Sequence, residues 1–285
     1  MQFHAEDHSF AVKLDPNAVE QHEQGASSMG KEDGACVSFI DVGKGDCILL
    51  QSGQSAALID TGYDRTSGEV ISFLRKKGVG HLEFLIITHY DRDHVGGVRA
   101  IGDAIAIDAV YLPAYEGADK NYRVLMSAIE GLGLMTRRVD KVLPLRLGSA
   151  LLSVCPSGVA FISDAKGDEG NDNDLSLVTS LTCGGDTFMF TGDLEKDGIE
   201  AYLNAGHGRF DVLKVPCHGE KCSCTEEFLD DVQPRIAVIT DDVDDPAAKK
   251  TLKLLAERGI DTYRTSVDGT IVVQGDGAGN FTVSC

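Results

Sequence analysis

One stretch, Leu85-Ile86-Ile87-Thr88-His89-Tyr90-Asp91-Arg92-Asp93-His94-Val95-Gly96-Gly97, limits what this chain can fold into more than any other. An apolar run ends at Thr88, and four potential metal ligands then arrive within six residues. Such a run, bounded by polar residues, reads as a buried strand of a covered sheet. After Gly97 the pattern turns apolar and helix-compatible again. His89, Asp91, Asp93 and His94 therefore belong to a strand-to-helix loop, where a rigid scaffold commonly presents chemistry. Imidazole together with carboxylate suits a borderline divalent cation such as zinc, manganese or iron. Two of each exceed what one closed site draws from a single loop, so two ions are expected. A solvated loop explains one such side chain but not four at this spacing.

Composition narrows the class. The 285 residues suffice for one large domain or two small ones, and no apolar run approaches the roughly eighteen residues of a membrane span. The N-terminus lacks a basic region followed by an apolar stretch, so no secretory signal is expected. The eight cysteines are scattered without a disulfide framework, which fits reduced thiols in a cytosol. Cys217, Cys222 and Cys224 flank His218 closely enough to hold a metal, yet lack the paired CxxC halves of a zinc finger. A net charge of −19 opposes long-range attraction of a polyanion. It does not exclude a small phosphate ester at a metal site, where dications dominate the local field.

In order, residues 1–34 read as a polar, partly flexible extension, carrying His4, His8, His22 and one short strand near Phe10-Ala11-Val12. Residues 35–285 read as one α/β domain. Apolar runs at Cys36–Val42 and Cys47–Gln51 flank Gly43-Lys44-Gly45-Asp46 as a hairpin. Ala56–Asp60 is a third strand, placing Asp60 where it can accept the free ring N–H of a ligating imidazole or form a turn. Ser67–Lys77 and Asn121–Leu132 have helical spacing, and Ala109–Leu112 is strand-like. Leu151–Cys155 and Leu175–Thr182 read as strands around a solvated loop containing Asp164, Asp168, Glu169, Asp172 and Asp174. Next come a strand at Thr187–Phe190 and a helix over Leu194–Asn204, with Asp193 at the junction as ligand or helix cap. Val212–Pro216 and Ile236–Thr240 are strands, Pro246–Arg258 a helix, and Thr262 and Ile271 mark the last two strands.

These pieces resemble a known family. The run His89-Tyr90-Asp91-Arg92-Asp93-His94 resembles the HxHxDH signature of metallo-β-lactamase-fold hydrolases, with Asp91 where the second His usually stands. Its HxDxDH form is similar to that of the soluble hydrolase domain of ComEC-type DNA-uptake competence proteins. Phe39 to Asp46 resembles that subfamily's FIDVGQGD, Leu58 to Gly62 its LIDTG, Phe190 to Glu195 its LLTGDLE, and Asp211 to Gly219 its DVLKVPHHG. Tyr263-Arg264-Thr265 with Gly269 matches its closing segment. The resemblance implies the four-layer αββα sandwich. It implies two divalent ions, zinc or manganese: His89 and Asp91 on one, Asp93, His94 and His218 on the other, and Asp193 bridging. Asp93 would also orient the attacking water, making it the catalytic residue. Asn173 falls near the place of the superfamily's third His, which is absent, so the first site is expected to be harder and weaker. Cys217 is a soft neighbour. The chain itself is expected to be a free-standing cytoplasmic relative of the membrane-joined domain.

Phosphodiester hydrolysis is the expected activity, with Lys44, Arg92, Lys214 and Arg264 near the motifs to hold phosphate oxygens. The substrate is expected to be a small phosphodiester or short oligonucleotide rather than long duplex nucleic acid. Two alternatives stand beside it. One is hydrolysis of a thioester, lactone or β-lactam; the other is a non-catalytic metal-binding module that lost one site.

Overall fold

Most core strands of this chain carry apolar side chains on both faces, a pattern that leaves neither face for water. The computed structural model describes residues 34–157, 172–206 and 208–285. Apart from Gly34, the extension over residues 1–34 with its short strand and three histidines lies outside the described residues, as do Asp164, Asp168 and Glu169.

The first half runs β1 (Cys36–Phe39), β2 (Ile48–Ser52), β3 (Ser55–Ile59), α1 (Ser67–Lys76), β4 (His81–Leu82), β5 (Phe84–Ile86), α2 (Arg92–Val95), α3 (Val98–Ala104), β6 (Ala106–Ile107), β7 (Ala109–Pro113), α4 (Lys120–Leu132) and β8 (Met135–Val139). The second half runs β9 (Leu143–Leu147), β10 (Ala150–Cys155), β11 (Val178–Cys183), β12 (Asp186–Phe190), α5 (Lys196–Ala205), β13 (Val212–Lys214), α6 (Thr225–Val232), β14 (Ile236–Ile239), α7 (Lys249–Glu257), β15 (Asp261–Arg264), α8 (Thr265–Asp268), β16 (Ile271–Gly275) and β17 (Phe281–Ser284).

Two large sheets result, in the orders β17-β16-β1-β2-β3-β5-β7-β8 and β15-β14-β13-β12-β11-β10-β9. The first is an antiparallel meander from β1 to β3, continued by parallel β5, β7 and β8. The second repeats this plan, with an antiparallel run from β9 to β12 continued by parallel β13, β14 and β15. Side-chain alternation decides the layers. In β3, Ala57 and Ile59 join the core between the sheets, while Ala56 and Leu58 join the core under the helices. In β14, Ile236 and Val238 face inward and Ala237 and Ile239 outward. The outer cores are closed by α1, α3 and α4 on one side and by α5, α6 and α7 on the other. This is the four-layer αββα sandwich, and the functional rim lies at the C-terminal ends of its parallel strands.

Eight elements were not foreseen: the short β4, α2, β6 and α8, and β8, β9, α6 and β17. The expected strand at Leu175–Thr182 starts later, at Val178, after a 3-10 turn over Asn173–Leu175. The helix expected from Pro246 begins only at Lys249.

Phe190 is the test of the inner core. Its ring is 1% exposed and packs on Phe39 at 6.2 Å between centroids and on Phe188 at 6.4 Å. Phe190→Ala is expected to cost about 3–5 kcal/mol in urea denaturation, because a buried ring is replaced by a cavity. Met135→Ala, on the exposed edge strand β8, should shift the same curve by no more than about 0.5 kcal/mol.

Candidate metal centre

Five strand ends meet at one rim. β3 delivers Asp60, β5 leads into Thr88–His94, β12 into Asp193, β13 into His218, and β14 into Thr240. Asp60 ends its strand with φ +57, and Cys217 and His218 follow β13 with φ +45 and +50. Left-handed backbone at non-glycine residues costs on the order of 1–3 kcal/mol each. Here it turns the side chains of Asp60 and His218 into the rim.

Three imidazoles are held the same way. His94 Nδ1 donates to Asp60 Oδ2 at 2.8 Å. His89 Nδ1 lies 3.0 Å from Thr88 Oγ1, which itself donates to Asp60 Oδ2 at 2.6 Å. His218 Nδ1 lies 3.0 Å from Thr240 Oγ1, which donates to Asp46 Oδ1 at 2.6 Å. Each hydroxyl spends its proton on a carboxylate, so it accepts from the ring. The network thus assigns the proton to Nδ1 in all three histidines and leaves Nε2 as the inward-facing atom. All three Nε2 atoms are buried and without a hydrogen-bond partner. Buried nitrogens placed in this way call for positive charge, carried by a proton or by a bound cation.

Carboxylates face them. Asp193 Oδ2 approaches His218 Nε2 at 2.9 Å and His94 Nε2 at 3.4 Å, neither in hydrogen-bond geometry. Asp93 Oδ2 lies 3.6 and 3.8 Å from the same two nitrogens, and Asp91 Oδ2 lies 3.8 Å from His89 Nε2. The donor atoms of His89, His94 and Asp193 fall within 4.8 Å of one another, as do those of Asp93, His94 and His218. The other oxygen of Asp193 is taken by Lys214, whose ammonium is 3.0 Å away and also 2.8 Å from Asp46 Oδ2 and 2.9 Å from the Gly192 carbonyl. Burial works against the charge on Lys214, but Asp193 and Asp46 outweigh it and hold its pKa above the ordinary lysine value. Burial likewise works against charging His94 and His218. Asp193, aided by Asp60 and Asp93 at His94, still raises both, His218 to about 9. Asp93 is lowered to about 2, because His94 and His218 overcome its burial. The donor set, neutral imidazole nitrogens and ionised carboxylates, fits divalent cations.

Residues 40–263 match the pattern of the Metallo-beta-lactamase superfamily. The chain belongs to this superfamily. Among curated proteins it is similar to ComE operon protein 3 of Bacillus subtilis, 31% identical over 258 residues, which are 82% of this chain and 32% of that protein. It is also similar to competence protein ComA of Neisseria gonorrhoeae, 26% identical over 91% of this chain and 33% of that protein. The chain thus spans about a third of the length of these relatives, and the resemblance to competence proteins holds. Among solved structures, the metallo-beta-lactamase fold protein YhfI from Bacillus subtilis aligns over 85% of this chain and 100% of its own, with TM-score 0.56 at 14% identity. The CmlA beta-hydroxylase E377D mutant aligns over 87% of this chain and 55% of its own, with TM-score 0.56 at 13% identity. At such identities these likenesses concern the fold.

Within the superfamily's rim, His89, Asp93, His94, Asp193 and His218 converge, and Asp91 sits at its edge with a side chain 48% exposed. Asp60 is the partner of His94 rather than a turn residue alone. Asp193 does not cap α5; Glu195 is its N-cap, and Asp174 accepts the Glu195 and Gly198 N–H groups at 2.9 and 2.8 Å. Asp174 and Asp172 are therefore not solvated loop residues, since Asp172 Oδ2 accepts the Tyr90 N–H at 3.0 Å. Asn173 donates to Glu195 at 2.9 Å, and its Oδ1 is buried without a partner. Cys217, Cys222 and Cys224 join no metal-holding group among the described residues.

The basic residues expected to hold phosphate are otherwise engaged. Lys214 is fully buried and cannot reach a substrate. Lys44 pairs with Glu220 and with Asp245 at 2.6 Å, Arg264 pairs with Asp241, and Arg92 pairs with Asp64 at 2.7 Å. Sequence reading missed Asp46, Thr88 and Thr240, each a polar residue on or beside the apolar strands. Thr88 and Thr240 directly follow apolar runs, and that position was the available signal.

A pH dependence follows from the raised histidines. A cation that binds Nε2 of His218 must displace the proton kept there up to about pH 9. Apparent metal affinity is therefore expected to rise with pH from 6.5 towards 9, by up to about tenfold per unit for each proton released. Titration calorimetry in buffers of different ionisation enthalpy should show net proton release at pH 7. A flat affinity across this range would mean His218 does not bind the ion through Nε2.

Proposed function

We propose that the chain is a metal-dependent hydrolase, a phosphodiesterase with a dinuclear centre. The observation that carries this reading is the convergence of three buried, unpartnered Nε2 atoms on Asp193 and Asp93. His89 and Asp91 would hold one ion and Asp93, His94 and His218 the other, with Asp193 Oδ2 between them. When bound, the two ions supply Lewis acidity that activates water and neutralises charge on the attacked phosphoryl oxygens. The chain's own part is orientation. Asp60, Thr88 and Thr240 fix the ring tautomers, Lys214 fixes Asp193, and Asp93, partly open to solvent, aligns the water as the catalytic carboxylate. Asp91 in place of an imidazole makes the first position harder, which supports manganese there beside zinc.

The resemblance to DNA-uptake competence proteins supports a phosphodiester over a thioester, lactone or β-lactam. With the nearby basic side chains spent on carboxylates, little remains to hold a long strand, so the substrate is a small phosphodiester or short oligonucleotide. None of the eight cysteines forms a disulfide, which supports a reducing cytoplasmic setting. No helix among the described residues is long and apolar enough to cross a membrane.

Asp93→Ala and His94→Ala should each abolish metal-dependent turnover of bis-p-nitrophenyl phosphate while circular dichroism stays unchanged. Wild-type turnover in either variant would remove the metal-hydrolase reading, and wild-type activity on nitrocefin or thioesters alone would move the reaction class. In a second test, the Asp93→Ala chain should bind a thirty-base single strand and its duplex weakly at physiological salt. Sub-micromolar binding that falls steeply as salt rises would instead indicate a polynucleotide track.

A further inference from the structure

Between the two donors of the first position stands one residue, Tyr90, and the molecule grips it at both ends. Its ring is fully buried, packed against Tyr115 and Tyr122 with centroids at 4.7 and 4.9 Å. Its hydroxyl lies 3.1 and 3.2 Å from the carbonyls of Pro113 and Tyr115. Arg138, on β8, donates to the same two carbonyls at 2.9 Å each, to the Tyr90 hydroxyl, and to the Tyr122 hydroxyl at 2.7 Å. That fixes the side chain from the first half of the fold. The backbone is fixed from the second half, where Asp172 Oδ2 accepts the Tyr90 N–H at 3.0 Å. One turn further, the Leu177 N–H bonds the Thr88 carbonyl at 2.9 Å, so both sides of His89 are tied to the same segment.

We propose that Asp172 is a positioning residue for the first metal ion, setting the spacing of His89 and Asp91 by holding the Tyr90 N–H. This rests on the two-ion reading above. A His-x-Asp pair projects both side chains to one ion only while the residue between them keeps its backbone orientation. Tyr90 offers one N–H to fix that orientation, and Asp172 is its acceptor. Asp172 does not act as a ligand. Its oxygens lie outside both donor groups that gather His89, His94, Asp93, Asp193 and His218. Its carboxyl group also meets the buried Tyr115 hydroxyl, and one oxygen alone, Oδ2, accepts from the Tyr90 backbone. The role therefore belongs to the acceptor oxygen and not to the charge, and an amide at this position keeps it.

The test uses Asp172→Ala and Asp172→Asn in the full chain, with manganese binding followed by calorimetry and bound metal counted per chain. Asp172→Ala is expected to weaken one of the two ions roughly 10–100-fold, the usual loss on removing a residue that orients ligands, and to leave the other ion and the metal-free melting temperature unchanged. Asp172→Asn should bind both ions as the wild type does. Equal loss in the Asn and Ala variants would overturn the proposal in favour of charge or direct ligation. Weakening of both ions alike, or a lower metal-free melting temperature, would overturn it in favour of a general structural role. Should the Ala variant not fold, Asp172→Leu, close to Asp in shape but without an acceptor, serves as the same arm. Wild-type chain that binds no ion at all would instead remove the metal reading itself.

Discussion

The centre depends on one buried ammonium. Lys214 ends β13 in the second sheet with its charge between Asp193 and Asp46, and Asp46 belongs to the β1–β2 loop of the first sheet. Asp46 is tied further: its N–H donates to the Asp93 carbonyl at 3.2 Å, its own carbonyl accepts the Gly62 N–H at 2.8 Å, and its Oδ1 accepts from Thr240. The pair thus fastens the two sheets to each other at the rim. Taking away one partner of such a pair leaves an unpaired buried charge, a loss of about 3–5 kcal/mol. That scale exceeds any single hydrogen bond in the centre. The same ammonium holds Asp193 by one oxygen, so the other can face the imidazoles.

Close approach matters as much as charge at this seam. A Cβ on Gly45 would stand 2.7 Å from the Asp93 carbonyl oxygen, so the β1–β2 loop reaches the ligand loop only because Gly45 has no side chain. The strained residues on the other side of the centre follow the same logic. Asp60 and His218 hold left-handed backbone because the buried hydrogen bonds to His94 and Thr240 need those side chains turned into the rim. Strain at this level persists only where the surroundings over-determine it.

How much of this was legible in the sequence depends on distance along the chain. The ligand loop, the strand before it and the helices with clear spacing are local patterns, and they were readable. So was the placing of Asp60, Asp193 and His218 at strand ends, since each lies within three residues of the end of an apolar run. Lys214, Asp46 and Asp172 were misread because their partners lie far off in sequence. Lys214 looks like any basic residue near a motif until burial removes it from solvent, and Asp46 looks like the end of a hairpin turn. Asp172 sat in an acidic stretch that reads as solvated, while its bond to Tyr90 spans 82 residues. Among the unforeseen elements, β8 (Met135-Thr136-Arg137-Arg138-Val139) is an edge strand with mostly exposed or half-buried side chains, so it shows no buried period. Pro144 masks β9, which is also an edge strand. In α6, Thr225, Phe228, Leu229 and Val232 keep helical spacing, but over only eight residues, too few for the period to stand out.

The charge balance of the rim links its architecture to its chemistry. Asp46, Asp60, Asp93 and Asp193 converge there against one lysine, so the protein places more negative charge in a buried space than its own cations neutralise. Without a bound metal, His94 and His218 meet that surplus by keeping protons well above the ordinary histidine range. A divalent cation held by the same nitrogens would take the place of those protons. Proton and metal thus compete for one site whose affinity for positive charge is built in by the carboxylates. The basic side chains around the rim are drawn into the same economy: Lys44, Arg92 and Arg264 each hold an acidic neighbour in place. On a chain of net charge −19, the negative charge of a phosphodiester would then be met chiefly by bound cations, and access to the rim would depend on their being present.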